Sequence, residues 1–317
     1  MGKVYITDYI VDPSIERGIL GDSLVQMPSS DVEALLVWHQ KIDEAYIQQF
    51  PKLRAVIRYG VGYDGLDLVA LKAKNIMACN TPDYGTAEVG DTALAMILNA
   101  CRGISYYDFS AKRFTDGTWQ ENVIGSLKRV SELTVGVVGA GRIGSSLIRK
   151  LEAIGFKTAF YDPYREDGYE KIFSNSRRCD SLEELLAISD LVSMHTPLNE
   201  KTKGMINPQF LAAMKPGATL VNTSRGGIVA SLDDLVPFLK SGHLHSVALD
   251  VIPSEPPDEN SELIKIWKGG STEFSARIVI NPHTAYYSQQ AFIEMRTKAA
   301  ENARRALEGK PLKYKLL

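Results

Sequence analysis

The stretch Gly139-Ala140-Gly141-Arg142-Ile143-Gly144 decides the fold, because the sequence on either side of it alternates between strand and helix patterns. A short apolar run, Thr134–Val138, leads into the glycines, and helix-forming residues follow as far as Ala153. A second apolar run, Thr158–Tyr161, ends at Asp162. This order of strand, G-x-G-x-x-G, helix, strand and acid predicts a dinucleotide-binding unit.

The residues of this turn have distinct predicted tasks. Gly139 permits the tight turn, Gly141 lets the backbone approach a pyrophosphate, and Gly144 lets the helix pack closely on the strand. Arg142 and Ile143 open the helix, whose free N–H groups would face the phosphates with the positive end of the helix dipole behind them.

Asp162 indicates which nucleotide is bound. A carboxylate at this point of the fold accepts hydrogen bonds from adenosine ribose hydroxyls, and its charge would repel a 2′-phosphate. The acid therefore favours NAD over NADP. Arg165 follows closely enough to keep NADP as the less favoured alternative.

Composition limits the class of protein. The 317 residues suffice for two domains, and 36 basic against 38 acidic residues give no surface suited to nucleic acid or a membrane. The three cysteines, Cys79, Cys101 and Cys179, are far apart, which argues against a disulfide framework and against a metal site. Neither a signal peptide nor a membrane span is apparent, so a cytoplasmic location is expected.

Two separate α/β layers are expected. Short apolar runs alternate with helical stretches before the glycine turn and again after it, which predicts parallel sheets with helices on their faces. The predicted strands of the first sheet are Val4–Thr7, Ala34–Trp38, Leu53–Arg58 and Ile76–Cys79. The second sheet is expected to have about six strands, with Leu191–Met194, Ala218–Val221, Val247–Leu249 and Ile278–Ile280 after the nucleotide unit.

The domain order follows from these sheets, which imply two Rossmann-like or flavodoxin-like domains. Both are complete before a long amphipathic helix at about Gln289–Leu307, so this helix is expected to return to the first domain. A discontinuous substrate-binding domain, residues 1–101 and 286–317, would then hold an inserted NAD-binding domain, residues 102–285. The polar connection Glu259–Ser275 is longer than such a fold requires, which is typical of functional or disordered loops.

Polar residues end several predicted strands, where the loops of an open α/β sheet face the ligand crevice. Arg225, Glu255 and His283 follow three strands of the second sheet, and Val61 and Gly62 follow a strand of the first. A guanidinium can hold a carboxylate at two points, and backbone N–H groups can add donors. An imidazole can transfer a proton near neutral pH while a carboxylate fixes its tautomer. Together these groups suit reduction of a 2-keto acid.

Each of these side chains also has an ordinary interpretation. Arg225 is compatible with a turn residue before two glycines, Glu255 with a solvated acid before proline, and His283 with a loop histidine. Their order on consecutive strands of one sheet favours the catalytic interpretation. His195 also ends a strand, but Thr196-Pro197 follows it, so this turn is predicted to line the cofactor and His195 to be structural.

With these residues the chain resembles the D-isomer-specific 2-hydroxyacid dehydrogenases over nearly its whole length. Beyond the glycine turn and Asp162, the resemblance rests on Met194–Leu198, Val221–Gly227, Leu249–Pro256 and Pro282-His283. Within the family the chain most resembles the C-terminal-binding-protein group, through Phe160–Tyr164, Leu198–Glu200, Pro282–Ser288 and Ile293–Arg296.

The resemblance implies roles for the site residues. It implies Arg225 as the substrate anchor, Glu255 as the orienting acid and His283 as the acid/base. It places Asp250 near the nicotinamide amide and lines the cofactor with Thr196, Thr202, Thr223 and Ser224. It also implies a small 2-keto or 2-hydroxy acid as substrate and a homodimer built largely from the NAD-binding domains.

Tyr286 departs from the C-terminal-binding-protein pattern. The corepressors of that group carry a tryptophan there that shapes the substrate pocket, so Tyr286 is expected to contact the substrate without transferring their ligand preference. They also carry an extended tail after the last helix, which is not expected here.

Two functions remain: a D-2-hydroxyacid dehydrogenase, and an NAD(H)-gated scaffold that binds partner peptides. The intact arginine, glutamate and histidine favour the enzyme.

Arg58 suggests the charge of the substrate. It ends the strand before Val61, while His39 and Lys41 follow another strand of the same sheet. If these side chains face the crevice, the substrate carries a second anionic group. The alternative is that a structural carboxylate holds Arg58.

Overall fold

The computed structural model of the chain describes residues 2–114, 119, 123–125, 127–269 and 275–317. The chain divides into two compact units, Met1–Gly85 with Tyr287–Leu317, and Thr86–Tyr286. Each unit contains one sheet, and every strand pair within both sheets is parallel. The predicted α/β class with two parallel sheets is confirmed.

The first unit has a five-stranded sheet in the order β2-β1-β3-β4-β5. Its strands are β1 (Lys3–Ile6), β2 (Leu24–Val25), β3 (Val32–Val37), β4 (Ala55–Arg58) and β5 (Met77–Cys79). Its helices are α1 (Ser14–Leu20), α2 (Glu44–Ile47), α3 (Leu68–Ala73) and α11 (Gln289–Leu307). The sequence did not predict β2, because two residues are too short for a period-2 pattern.

Helix α11 lies in this first unit. The Ser288 hydroxyl caps its start by accepting a hydrogen bond from the Ala291 N–H at 3.0 Å. Its apolar stripe, which includes Met295 and Ala299, is buried, and the helix packs against α1, β3 and β4.

The second unit has a seven-stranded sheet in the order β12-β11-β10-β9-β6-β7-β8. The strands are β6 (Thr134–Val138), β7 (Lys157–Tyr161), β8 (Ser176–Arg178), β9 (Leu191–Met194), β10 (Ala218–Asn222), β11 (Leu244–Leu249) and β12 (Ile278–Ile280). The strand order reverses direction between β6 and β9, and the crevice at such a switch point is where open α/β sheets bind ligands. The sequence prediction of about six strands missed β8, a polar edge strand.

Seven helices of the second unit lie in the described part of the chain. They are α4 (Thr86–Arg102), α5 (Ile104–Ala111), α6 (Arg142–Ala153), α7 (Leu182–Ile188), α8 (Pro208–Ala213), α9 (Leu235–Ser241) and α10 (Glu262–Gly269). Helix α4 packs against α6, and the division between the units falls before it at Gly85, whereas the sequence predicts a boundary after it at residue 101.

Helix α10 lies within the connection that the sequence predicted to be a long polar loop. It buries Leu263 and Ile264 against the second unit's core, so part of that connection is a packed helix. Residues 270–274 of the connection lie outside the described residues. Among the helices that are described, none combines the length and apolar character needed to cross a membrane.

Candidate active site

The glycine turn lies directly after β6, with α6 beginning at Arg142. Gly139 adopts φ +95°, and a Cβ added there would lie 2.6 Å from the His195 carbonyl oxygen. A Cβ on Gly144 would lie 2.0 Å from the Gly139 carbonyl oxygen, so only glycine allows the helix to pack this closely. A Cβ on Gly141 would meet open space, which leaves room for a bound group beside the helix N-terminus.

Asp162 ties the end of β7 to the glycine turn. One carboxylate oxygen accepts a hydrogen bond from the Ala140 N–H at 2.9 Å, and the other accepts one from the Tyr164 N–H at 2.9 Å. Arg165 donates to the Ala140 carbonyl at 3.1 Å, and its guanidinium lies 4.7 Å from the centre of the Tyr169 ring. Each carboxylate oxygen retains acceptor capacity for a ribose hydroxyl. The Asp162–Ala140 contact could not be predicted from the spacing alone.

The loops after β9 and β10 carry the predicted cofactor-lining hydroxyls. The Thr196 and Thr223 hydroxyls are buried and have no hydrogen-bond partner among the described residues. Buried hydroxyls without a partner are uncommon, and a ligand along this edge would supply one. The Thr202 hydroxyl instead donates to the Pro197 carbonyl at 2.6 Å, so it shapes the turn that follows β9. These residues fit a dinucleotide held at the carboxyl edge of the sheet.

Asn222, the last residue of β10, organises the loop that carries Arg225. Its fully buried amide oxygen accepts hydrogen bonds from the N–H and hydroxyl groups of Ser224, at 3.0 and 2.7 Å. Its amide nitrogen donates to the Arg225 carbonyl at 3.0 Å, and Arg225 itself donates to the Ser224 carbonyl at 2.6 Å. An asparagine that ends a strand before a Ser/Thr turn was the available signal.

Gly226 brings this loop against the next one. A Cβ added to Gly226 would lie 1.8 Å from the Ile252 carbonyl oxygen, so the backbones of the two loops touch here. Ile252 donates its N–H to Glu255 at 3.2 Å. The arginine loop after β10 and the glutamate loop after β11 are therefore packed side by side.

Asp250 holds the histidine loop. It is 1% exposed, and its carboxylate accepts hydrogen bonds from the N–H groups of Thr284 and Ala285, each at 3.0 Å. Its backbone carbonyl accepts from the His283 N–H at 2.8 Å. Burial raises the pKa of the Asp250 carboxyl, while the two N–H donors act in the opposite direction. No motif or spacing in the sequence indicates this anchoring role.

His283 and Glu255 are joined by a hydrogen bond in the candidate site. His283 Nδ1 lies 2.8 Å from Glu255 Oε2, and both side chains are 38% exposed. With Nδ1–H donating to the carboxylate, Nε2 is the nitrogen left to exchange a proton with a ligand. His283 has φ +56°, a left-handed conformation that is costly for a residue other than glycine and is typical of functional sites.

His195 lies at the end of β9 and differs from His283 in its surroundings. Its Nε2 atom is 2.8 Å from the Ser193 hydroxyl, and burial lowers the pKa of His195 to about 4. The side chain is therefore neutral near pH 7, which agrees with the structural role expected for it.

The first unit presents its own polar groups at the carboxyl end of β4. Among the described residues, no acceptor is paired with the N–H of Val61 or of Gly62. The Arg58 guanidinium folds back beside Gly60, where an added Cβ would lie 2.8 Å from its Nη1 atom. His39 and Lys41 are exposed after β3, and Tyr286, the last residue of the second unit, is half-buried.

These features define a dinucleotide-binding protein that carries a carboxylate–imidazole pair and an arginine at the same edge of its nucleotide-binding sheet. The sequence matches the model for "D-isomer specific 2-hydroxyacid dehydrogenase, NAD binding domain" over residues 94–285. The chain belongs to the D-isomer specific 2-hydroxyacid dehydrogenase family, and this match supports NAD as its cofactor.

Three relatives illustrate the range of the family. The chain is 31% identical to C-terminal-binding protein 1 of Caenorhabditis elegans over 288 residues, 89% of this chain and 38% of that protein. It is 33% identical to D-3-phosphoglycerate dehydrogenase of Mycobacterium bovis over 295 residues, 90% of this chain and 51% of that protein. The chain thus spans about half or less of these two relatives. A D-lactate dehydrogenase structure from Aquifex aeolicus, complexed with NAD and lactic acid, superposes with a TM-score of 0.85, 25% identity and coverage of 97% and 96%.

Proposed function

We propose that the protein catalyses the NAD(H)-dependent, stereospecific interconversion of a 2-keto acid and a D-2-hydroxy acid. The observation that carries this proposal is the 2.8 Å contact between His283 and Glu255, at the edge of the sheet that bears the glycine turn. Arg225 follows β10, which is next to β11 in that sheet, and the loops after these strands touch at Gly226.

The cofactor would be held by residues already in place around the switch point. The turn residues Gly139, Gly141, Arg142, Ile143 and Gly144 would face the pyrophosphate, and Asp162 would accept from the ribose. Thr196, Pro197, Thr202, Thr223, Ser224 and Asp250 would line the remainder. Bound NADH supplies the hydride that reduces the carbonyl carbon.

His283 would act as the proton donor in reduction and as the proton acceptor in oxidation. Its Nε2–H would protonate the oxygen on which negative charge develops, while Glu255 stabilises the imidazolium through Nδ1. Arg225 would bind the substrate carboxylate and polarise the carbonyl oxygen, since its charge persists at every relevant pH.

The first unit would contribute to substrate binding. We infer that the N–H groups of Val61 and Gly62 bind the substrate carboxylate, and that Tyr286 contacts the substrate side chain. Arg58 would add positive charge beside Gly60, which favours a substrate with a second anionic group. Equal activity on neutral and dianionic 2-keto acids would count against that last inference.

The decisive experiment is a panel of 2-keto acids with NADH and with NADPH. Glyoxylate, pyruvate, hydroxypyruvate and 2-ketoglutarate span small, hydroxylated and dianionic side chains. We expect NADH oxidation with at least one of them, a D product by chiral chromatography, and weaker use of NADPH. An L product, or no turnover with any member of a broadened panel, would contradict the proposal.

A second candidate function rests on the similarity to C-terminal-binding protein 1. In that case the chain would be an NAD(H)-gated scaffold that binds partner peptides, and catalysis would be absent or incidental. The packed Arg225, Glu255 and Asp250 loops favour the enzyme, because a scaffold does not need an oriented imidazole. NADH-dependent capture of a partner together with a silent keto-acid panel would reverse this preference.

We also propose a homodimer built from the NAD-binding unit. Four large apolar side chains between residues 104 and 123 are more than half exposed: Ile104 57%, Phe114 59%, Trp119 74% and Val123 72%. A cavity of about 460 Å³, lined in part by Tyr106, Ile124 and Leu127, opens at the amino-terminal edge of the seven-stranded sheet in this unit. Apolar surface of this kind typically marks a protein interface.

We propose a cytoplasmic location. The three cysteines are unpaired and buried, and burial raises the pKa of Cys79 and of Cys101 to about 12, so both stay as inert thiols. Unpaired cysteines are typical of a reducing compartment. Fractionation of cells that produce the full chain would test this.

A further inference from the structure

In the loop that follows β4 in the first unit, backbone carbonyl groups are hydrogen-bonded while two neighbouring N–H groups are not. The carbonyl oxygens of Arg58, Gly60 and Val61 are all hydrogen-bonded, whereas the N–H groups of Val61 and Gly62 have no acceptor among the described residues. Satisfied carbonyls beside two successive unpaired donors indicate a loop arranged to receive an anion.

Thr81, which comes two residues after β5, closes this loop from one side. Its hydroxyl accepts a hydrogen bond from the Gly60 N–H at 2.9 Å and donates to the Arg58 carbonyl at 2.7 Å. Its own N–H donates to the Gly60 carbonyl at 3.0 Å. Thr81 is completely buried, so water does not substitute for any of these contacts.

Asn80 continues the contact along the loop. Its amide nitrogen donates to the Val61 carbonyl at 2.6 Å, and Asn80 is 7% exposed. The two carbonyls that Thr81 and Asn80 hold are those of Gly60 and Val61. These carbonyls belong to the same peptide units as the N–H groups of Val61 and Gly62.

Because the peptide unit is planar, these contacts determine the direction in which the N–H groups of Val61 and Gly62 point. In a trans peptide unit the C=O and the N–H point to opposite sides. Holding the Gly60 carbonyl toward Thr81 therefore turns the Val61 N–H away from Thr81. Holding the Val61 carbonyl toward Asn80 likewise turns the Gly62 N–H away from Asn80. Both free donors are aimed away from the segment after β5.

Tyr59 anchors the base of the same loop. Its hydroxyl donates to Glu16 Oε1 at 2.9 Å, and Arg296 of α11 binds both Glu16 oxygens, at 2.9 and 2.6 Å. Glu16 and Tyr59 are fully buried and Arg296 nearly so. Removing one partner of such a pair leaves a buried charge uncompensated, so the pair resists displacement of Tyr59. Thr81 forms hydrogen bonds with Arg58 and Gly60, on either side of Tyr59. The Tyr59–Glu16 contact and the Thr81 contacts therefore hold the same segment, Arg58–Gly60.

We propose that Asn80 and Thr81 are positioning residues, which aim the N–H groups of Val61 and Gly62 at the carboxylate of the substrate. The inference rests on the proposed function, since it assigns the orientation of that substrate's binding loop. Neither side chain needs to touch the substrate. Their effect is expected in substrate affinity, because a carboxylate is bound in both the ground state and the transition state.

Thr81→Val and Thr81→Ser form the central comparison. Valine keeps the shape of threonine and removes both hydroxyl hydrogen bonds, whereas serine retains the hydroxyl. With the best 2-keto acid of the panel, we expect Thr81→Val to raise KM at least tenfold while kcat changes less than threefold. We expect Thr81→Ser to stay within threefold of the wild type, and NADH affinity to be unchanged in both.

Two further variants guard against a general loss of structure. Asn80→Ala removes the Val61 contact alone and is expected to raise KM in the same way. Thr219→Val removes a buried hydroxyl contact to Ser246 in the second unit and is expected to leave KM unchanged. Hydrogen exchange of the Gly60 amide, which needs no substrate, is expected to accelerate in Thr81→Val but not in Thr81→Ser.

The outcomes separate this proposal from the function on which it rests. A wild-type chain that reduces no 2-keto acid overturns the proposed function. An active wild type with equal KM in Thr81→Val and Thr81→Ser overturns the positioning role and leaves the function standing. Unchanged Gly60 exchange in Thr81→Val overturns the Thr81 contacts themselves. A loss confined to kcat, with KM unchanged, also contradicts the proposal.

Discussion

At the scale of single residues, the proposed chemistry depends on the contact between His283 and Glu255. Glu255→Gln keeps the shape of the side chain and removes the charge that faces Nδ1. We expect kcat for reduction to fall about tenfold or more, because the imidazole loses the carboxylate that fixes its tautomer and orientation. His283→Ala should lose about a hundredfold or more. Stopped-flow and steady-state rates would measure both effects.

The control for this comparison is Glu262→Gln, which removes an exposed carboxylate that pairs with Lys240 on the surface of the same unit. It should leave kcat for reduction unchanged. NADH binding should persist in every one of these variants. Full activity in His283→Ala with the best substrate would show that another group transfers the proton.

The lowered pKa of His195 leads to a prediction of how the free energy of unfolding depends on pH. Its pKa is about 4 in the folded chain and near 6.5 in an unfolded one. The unfolded state therefore binds more protons between these values, so the free energy of unfolding rises with pH across this window. The stabilisation is complete above about pH 6.5 and is lost as pH falls through about 4, by an amount on the order of 3 kcal/mol.

Urea unfolding of the wild type and of His195→Gln at pH 4.5, 5.5, 6.5 and 7.5 would measure this loss. The variant should have the flatter dependence, and the exposed His39→Asn should follow the wild type. Parallel curves for wild type and His195→Gln would contradict the assignment.

At the scale of elements, the sequence was informative wherever the cause of a structure is local. The glycine turn and both of its strands follow from residues close together in the sequence, and each could be predicted. Strand β8 could not be predicted, because a three-residue polar edge strand has neither apolar alternation nor length. The Asp250 contact to Ala285 joins residues 35 positions apart, and no spacing rule leads to it.

The same distinction applies to the candidate site. Arg225, Glu255 and His283 could be selected because each follows a strand of one sheet, and parallel strands end at a common edge. The residues that hold these three side chains in place could not be identified from the sequence. Asn222 and Asp250 act on backbone groups whose positions depend on the completed sheet, so their roles become visible only in three dimensions.

The contact between the arginine and glutamate loops gives a prediction at this scale. Alanine at Gly226 would place its Cβ 1.8 Å from the Ile252 carbonyl, so one of the two loops must move. We expect Gly226→Ala to lower kcat/KM by at least tenfold while NADH binding changes little. Gly227→Ala is the matched control, because its Cβ would meet only the flexible end of Leu198, at 2.9 Å. Equal kinetics in the two variants would mean that the loop contact does not position Arg225.

At the scale of the whole molecule, the proposed homodimer predicts a mass of about twice the chain's 35.0 kDa in solution. Ile104 is 57% exposed at the start of α5, and burial of a side chain of this size stabilises an interface by roughly 1.5–3 kcal/mol. Ile104→Lys would place a charge there, and we expect it to weaken dimerisation at least tenfold in sedimentation velocity. Ile172→Lys, at a 45% exposed site of the same unit but outside the 104–123 segment, should remain dimeric. A monomeric wild type would contradict the proposed homodimer. Equal dissociation of both variants would show that the interface is not centred on Ile104.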